Sequence, residues 1–95
     1  MDKSFEAIVR QSDRLTFIDI PFNPSEVFKK KGKIEVVGEL NGNSFRKSLL
    51  SRGNGKYIIT LDRAMLKRLG INAGDAVSIT IRATDSALYQ QKIKM

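Results

Sequence analysis

The side chains equipped for chemistry in this sequence are mostly cations. Between Glu39 and Asp75 the chain carries Arg46, Lys47, Arg52, Lys56, Arg63, Lys67 and Arg68 against a single acid, Asp62. Guanidinium and ammonium groups at this density suit phosphates and carboxylates, which accept their charge-assisted hydrogen bonds. The chain holds neither histidine nor cysteine. The usual general bases, zinc ligands and nucleophile–base pairs therefore have no material to be built from. Spacing places no carboxylate pair for acid–base work, and Asp19, Asp62, Asp75 and Asp85 read as caps and turn residues. The expectation is a binding or structural protein and not an enzyme, with no cofactor and no metal. A formal charge of +7 and a pI near 10.0 point to polyanions or acidic surfaces as partners.

Three kinds of role follow from these cations. In the first, nucleic acid or another polyanion is bound. Arg46, Lys47, Arg52 and Lys56 lie along one strand–loop–strand unit, and Arg63, Lys67 and Arg68 along a helix face. If these groups converge, several phosphates are neutralised at once and affinity depends steeply on salt. In the second, a small anion sits in a cleft lined by Arg46, Ser48 and the N–H groups of Gly53-Asn54-Gly55. That loop lacks the Gly-Lys-Ser/Thr continuation of a phosphate loop and does not run into a helix. In the third, the domain is structural or binds a protein, and its charge serves solubility. One patch of basic residues favours the first role, the cleft favours the second, and scattered cations favour the third. Tyr57 and Phe45 read as core, so no platform for stacking bases is evident.

Several of these residues also have local explanations. Arg46 pairs with Glu39 across a hairpin in one register. Lys47 is a charge on an apolar strand face, either stretching to an open edge or pointing into a cleft. Lys29-Lys30-Lys31 is either a phosphate contact or the solvated end of a short helix.

The elements that hold these groups are mostly strands. Residues 4–11 alternate with Phe5, Ala7 and Val9 on one side, and Leu15–Ile20 forms a hairpin with them after Ser12-Asp13. Asn23 caps a short helix that opens on Pro24, with Glu26 at a capping-box position and Phe22 and Val27 set for a hydrophobic staple. Lys33–Leu40 alternates again, and Asn41-Gly42 is a hairpin signal. A two-residue loop pairs Leu40 with Asn43, whereas a four-residue loop sets Glu39 opposite Arg46. Either register puts Phe45, Lys47 and Leu49 on the face of Ile34, Val36 and Leu40. Lys56–Leu61 is the next strand. Asp62 then caps a helix over Arg63–Leu69 that stops at Gly70 and buries Met65, Leu66 and Leu69. Ala76–Ala83 is a clean strand with Val77, Ile79 and Ile81 inward. A turn at Asp85-Ser86 leads to a closing strand over Leu88–Ile93.

The order of elements repeats: strand, strand, capped short helix, glycine, strand. Two ββαβ halves, about 4–42 and 43–93, suit a mainly β fold. The expected form is a small closed or split barrel with pseudo-twofold symmetry and two short helices. Ninety-five residues make a single domain spanning 1–95. No run of apolar residues is long enough for a membrane helix, and no secretory leader is visible, so a cytoplasmic protein is expected.

The runs G-E-L-N-G-N-S-F-R-K-S-L, G-N-G-K-Y-I-I-T-L and L-K-R-L-G-I-N-A-G-D-A-V-S-I occur in this order. Together they resemble the bacterial domain of unknown function numbered nineteen-oh-five, over nearly the whole chain. The resemblance implies a double-split β-barrel related to the AbrB-like swapped-hairpin DNA-binding proteins. Those proteins build the barrel from two chains. One chain here supplies both halves, which implies a monomer.

Overall fold

The computed structural model describes residues 2–84. The turn read at Asp85-Ser86 and the strand read over Leu88–Ile93 lie outside these residues. The described residues form β1 (Lys3–Ile8), β2 (Arg10–Ser12), β3 (Leu15–Asp19), α1 (Pro24–Val27), β4 (Glu35–Leu40), β5 (Asn43–Ser48), β6 (Leu50–Gly53), β7 (Lys56–Thr60), α2 (Arg63–Leu69) and β8 (Ala76–Ala83). The fold is mainly β, with two short helices.

All strand pairs are antiparallel. One sheet has the order β1-β8-β4-β5 and the other β2-β3-β7-β6. Exchanging β1 with β5, β2 with β6, β3 with β7 and β4 with β8 turns each order into its own reverse. The chain passes between sheets at single buried residues, Val9 after β1 and Leu49 after β5. Val9 N–H donates to the Asp75 carbonyl at 2.9 Å, just before β8, and Leu49 N–H to the Ile34 carbonyl at 2.8 Å, just before β4. Each corner thus satisfies its backbone against the entrance to the strand beside it. These corners interrupt the ladders, so the strands form two sheets and not the closed barrel the repeat allowed.

The core lies between the sheets. Ile18, Val36, Leu40, Ile59, Ile79 and Ile81 are almost wholly excluded from solvent. Fully burying each such side chain contributes about 1.5–3 kcal/mol. Gly38 is required where β4 lies against β8, because a Cβ there would lie 1.8 Å from the Thr80 carbonyl oxygen. No helix of the described residues is long and apolar enough to cross a membrane.

The helix ends agree in part with the sequence reading. Asp62 accepts from Met65 N–H at 2.8 Å, and Gly70 closes α2 in the left-handed region at φ 67°. Asn23 caps α1 by accepting from Ser25 N–H at 3.0 Å. Glu26 forms no hydrogen bond to complete a capping box, and α1 stops at Val27. Phe22 packs edge-on between Phe5 and Phe28, at centroid separations of 5.9 and 6.0 Å.

Candidate functional site

The basic residues divide among three surfaces. On β5, Arg46 points to the outer face of the first sheet. The Asn41-Gly42 turn is a two-residue loop with positive φ at both positions, and it pairs Leu40 with Asn43. Glu39 therefore faces Ser44, and the ion partner of Arg46 is Glu35, at 2.9 Å, in place of the Glu39 expected from the longer loop. Arg46 and Arg82 flank Val37 from opposite strands. They line a cleft of about 600 Å3 with Ser44, Thr80, Asp2 and Glu39. Ser48 pairs with Glu35 farther along and is not part of the lining.

Lys47 lies on the apolar side of β5 among core residues, as its parity requires. Its stem is largely covered and its ammonium reaches to 4.0 Å from Asp62. The charge stretches to the start of α2 and lines neither of the two clefts formed by the described residues. Of the α2 cations, Arg63, Lys67 and Arg68 are exposed, and Arg68 donates to the Ser44 carbonyl at 3.2 Å. That carbonyl points away from β4, since Leu40 and Asn43 flank the two-residue turn as a hydrogen-bonded pair and Glu39 and Ser44, the pair after it, are non-hydrogen-bonded. Arg68 thus occupies an unpaired acceptor on an edge strand, which discourages another strand from docking there.

Arg52 and Lys56 belong to the second sheet. Ile18 and Ile59, directly opposite one another, face the core. Alternation then sends Phe17, Asp19, Ile58 and Thr60 outward, and Lys56 with them. Phe17 is nevertheless only 6% exposed. Its cover comes from two guanidiniums: Arg10, its cross-strand partner, lies 5.5 Å from the ring centroid, and Arg52 lies 5.9 Å from it. Arg10 also binds Asp19 at 2.6 Å. Arg52 has no ion pair among the described residues. Leu50, opposite Ile58, is half exposed beside them. At the end of this face, Arg10, Asp19, Gly55, Lys56, Tyr57 and Phe22 line a second cleft of about 420 Å3.

The structure therefore brings Arg52 and Lys56 onto one face and leaves Arg46, Lys47 and the α2 cations elsewhere. The small-anion cleft expected from Arg46, Ser48 and residues 53–55 does not assemble, because Arg46 and Gly55 line clefts on different sheets. Arg10 and Phe17 do not stand out in the sequence. A two-residue turn at Asp13-Arg14 sets them opposite each other, so the signal lay in the hairpin register.

These features define a small two-sheet domain with cationic outer surfaces. The model of the family described as Domain of unknown function (DUF1905) matches residues 5–81, and the chain belongs to that family. No curated protein matches the chain.

Proposed function

We propose that this domain binds polyanions, with nucleic acid the first to test, through the outer face of the second sheet. The observation that supports the reading best is the convergence of Arg10 and Arg52 on Phe17. Lys56 shares this face, and Asp19 is the one carboxylate among the residues placed on it. An exposed guanidinium gains only about 0.5–1 kcal/mol from an aromatic ring. A phosphate gives it a charge-assisted hydrogen bond in addition, so Arg52, which has no ion pair among the described residues, is held ready without being committed, while Arg10 is shared with Asp19. Contact through phosphates makes binding tolerant of sequence.

The test is fluorescence anisotropy of labelled random duplex DNA and single-stranded RNA at low and physiological salt. Affinity falls with salt, with a slope of about 0.9 per duplex phosphate neutralised. Arg52→Ala and Lys56→Ala each weaken binding and lower the slope by about one contact. Absence of binding even at low salt sinks the reading. The α2 cations Arg63, Lys67 and Arg68 are secondary in it, as are Arg46 and Lys47.

A second reading attaches to the cleft of the first sheet, where Arg46 and Arg82 approach Val37 from both sides. It is a small-anion site, offset by Asp2 and Glu39, and a thermal-shift screen of phosphates and carboxylates that responds to Arg82→Ala supports it.

Beyond the ligand, we read the two sheets as the halves of a double-split barrel of AbrB-like descent. What supports this is the hand-over of bent strands at Val9 and Leu49. The proposal is completed by a monomer that binds in the cytoplasm without catalysis.

A further inference from the structure

The chain has two Asn-Gly pairs, Asn41-Gly42 and Asn54-Gly55, each in the tight turn of a hairpin. In this dipeptide the amide nitrogen that follows reaches the asparagine side chain most easily, because glycine adds no Cβ to hinder approach. The backbones of the two turns match closely. Asn41 and Gly42 have φ 52° and 84°, and Asn54 and Gly55 have φ 55° and 75°.

The turns differ in what holds the asparagine. Oδ1 of Asn41 accepts from Ser78 N–H at 2.9 Å, and Asn41 N–H donates to the Ser78 carbonyl at 2.8 Å. Its side chain is thereby fastened to β8. Asn54 is exposed, and its side chain has no hydrogen bond among the described residues.

We propose that Asn54 is a site of spontaneous deamidation and that its product places a carboxylate at the edge of the cationic face. The Gly55 amide nitrogen attacks Cγ of Asn54. The new N–Cγ bond forms as the Cγ–Nδ2 bond breaks, and Nδ2 leaves as ammonia with the amide proton. Water then opens the cyclic imide at either carbonyl, giving aspartate or isoaspartate. The new charge stands two residues from both Arg52 and Lys56. Its effect on binding rests on the proposed function; the reaction itself does not.

The experiment is incubation of the purified chain at mildly alkaline pH, with peptide mapping for the one-dalton gain and for isoaspartate. Asn54 converts at least about fivefold faster than Asn41 in the folded protein, since one net hydrogen bond holds a group by roughly that factor. In denaturant the two convert at similar rates. Equal rates in the folded protein, or faster conversion at Asn41, overturn the proposal, as does an imbalance that persists in denaturant. Asn54→Asp then tests the consequence for binding. It weakens DNA binding severalfold at low salt if the face is the binding surface, and unchanged affinity overturns the charge effect. A wild-type chain that binds no polyanion removes the proposed function, while the ratio of rates still decides whether Asn54 is the modification site.

Discussion

At the scale of single residues, several charged side chains serve two roles of very different weight. Asp62 caps α2 through Met65 N–H and also stands 4.0 Å from Lys47. The cap satisfies a backbone donor that has no partner inside the helix, whereas the ion pair is long and its carboxylate is 63% exposed. The cap therefore dominates. Asp62→Ala lowers stability by about 0.5–2 kcal/mol in urea unfolding, and Asp62→Asn, which keeps a capping oxygen, retains most of it. Equal losses in the two variants give the weight to the Lys47 contact instead. Arg68 shows a similar division: its exposure on α2 suits a ligand contact, yet its guanidinium already serves the Ser44 carbonyl.

At the scale of elements, the close pairing of β4 with β8 is the tightest constraint. These strands form the centre of the first sheet, and Gly38 sits opposite Ile81 and Phe45. A Cβ at Gly38 meets backbone atoms of Thr80 and Ile81, which cannot rotate aside as a side-chain tip can. Gly38→Ala is expected to cost several kcal/mol and to sharply reduce the yield of folded protein. Gly32→Ala is the control. A Cβ there has nothing within 4 Å, so its penalty is the positive φ alone, about 1–2 kcal/mol. Comparable thermal midpoints for the two variants contradict the close approach. The edge strand β5 is defended differently, with the Arg68 contact at one end and the Arg46–Glu35 pair farther along.

Across the whole molecule, the two sheet orders interleave elements from both ends of the chain. β4 pairs with β8 and β3 with β7, so the central pair of each sheet joins an early strand to a late one. Neither the first four strands nor the last four can complete a sheet alone. Unfolding is therefore one cooperative transition, with far-UV and near-UV signals coincident. Ile59→Ala in one sheet and Ile79→Ala in the other each remove a fully buried side chain, at a cost of about 2–5 kcal/mol. Both shift a single midpoint without splitting it. Two resolved transitions would mean that the sheets are stabilised independently.

Much of this architecture was legible one residue at a time. Asp62, Gly70, Asn23 and the Asn41-Gly42 turn act through bonds to near neighbours in the chain, so their types and spacing carried the outcome. The inward faces of β4 and β8 followed from alternation, because a strand's two sides are fixed by its own backbone. What lay beyond local pattern was adjacency: which strand stands beside which, and where the ladder breaks. Alternation alone could not turn the chain at Val9 and Leu49, since both residues keep the inward parity of their strands. The partner of Arg46 depended on a register that two loop lengths satisfied equally. The meeting of Arg10 with Arg52 over Phe17 required β2, β3, β7 and β6 to lie in that order, joining residues about forty positions apart. A charge's position along the chain is set locally, but the charges that share a face are chosen by the packing of strands around one core.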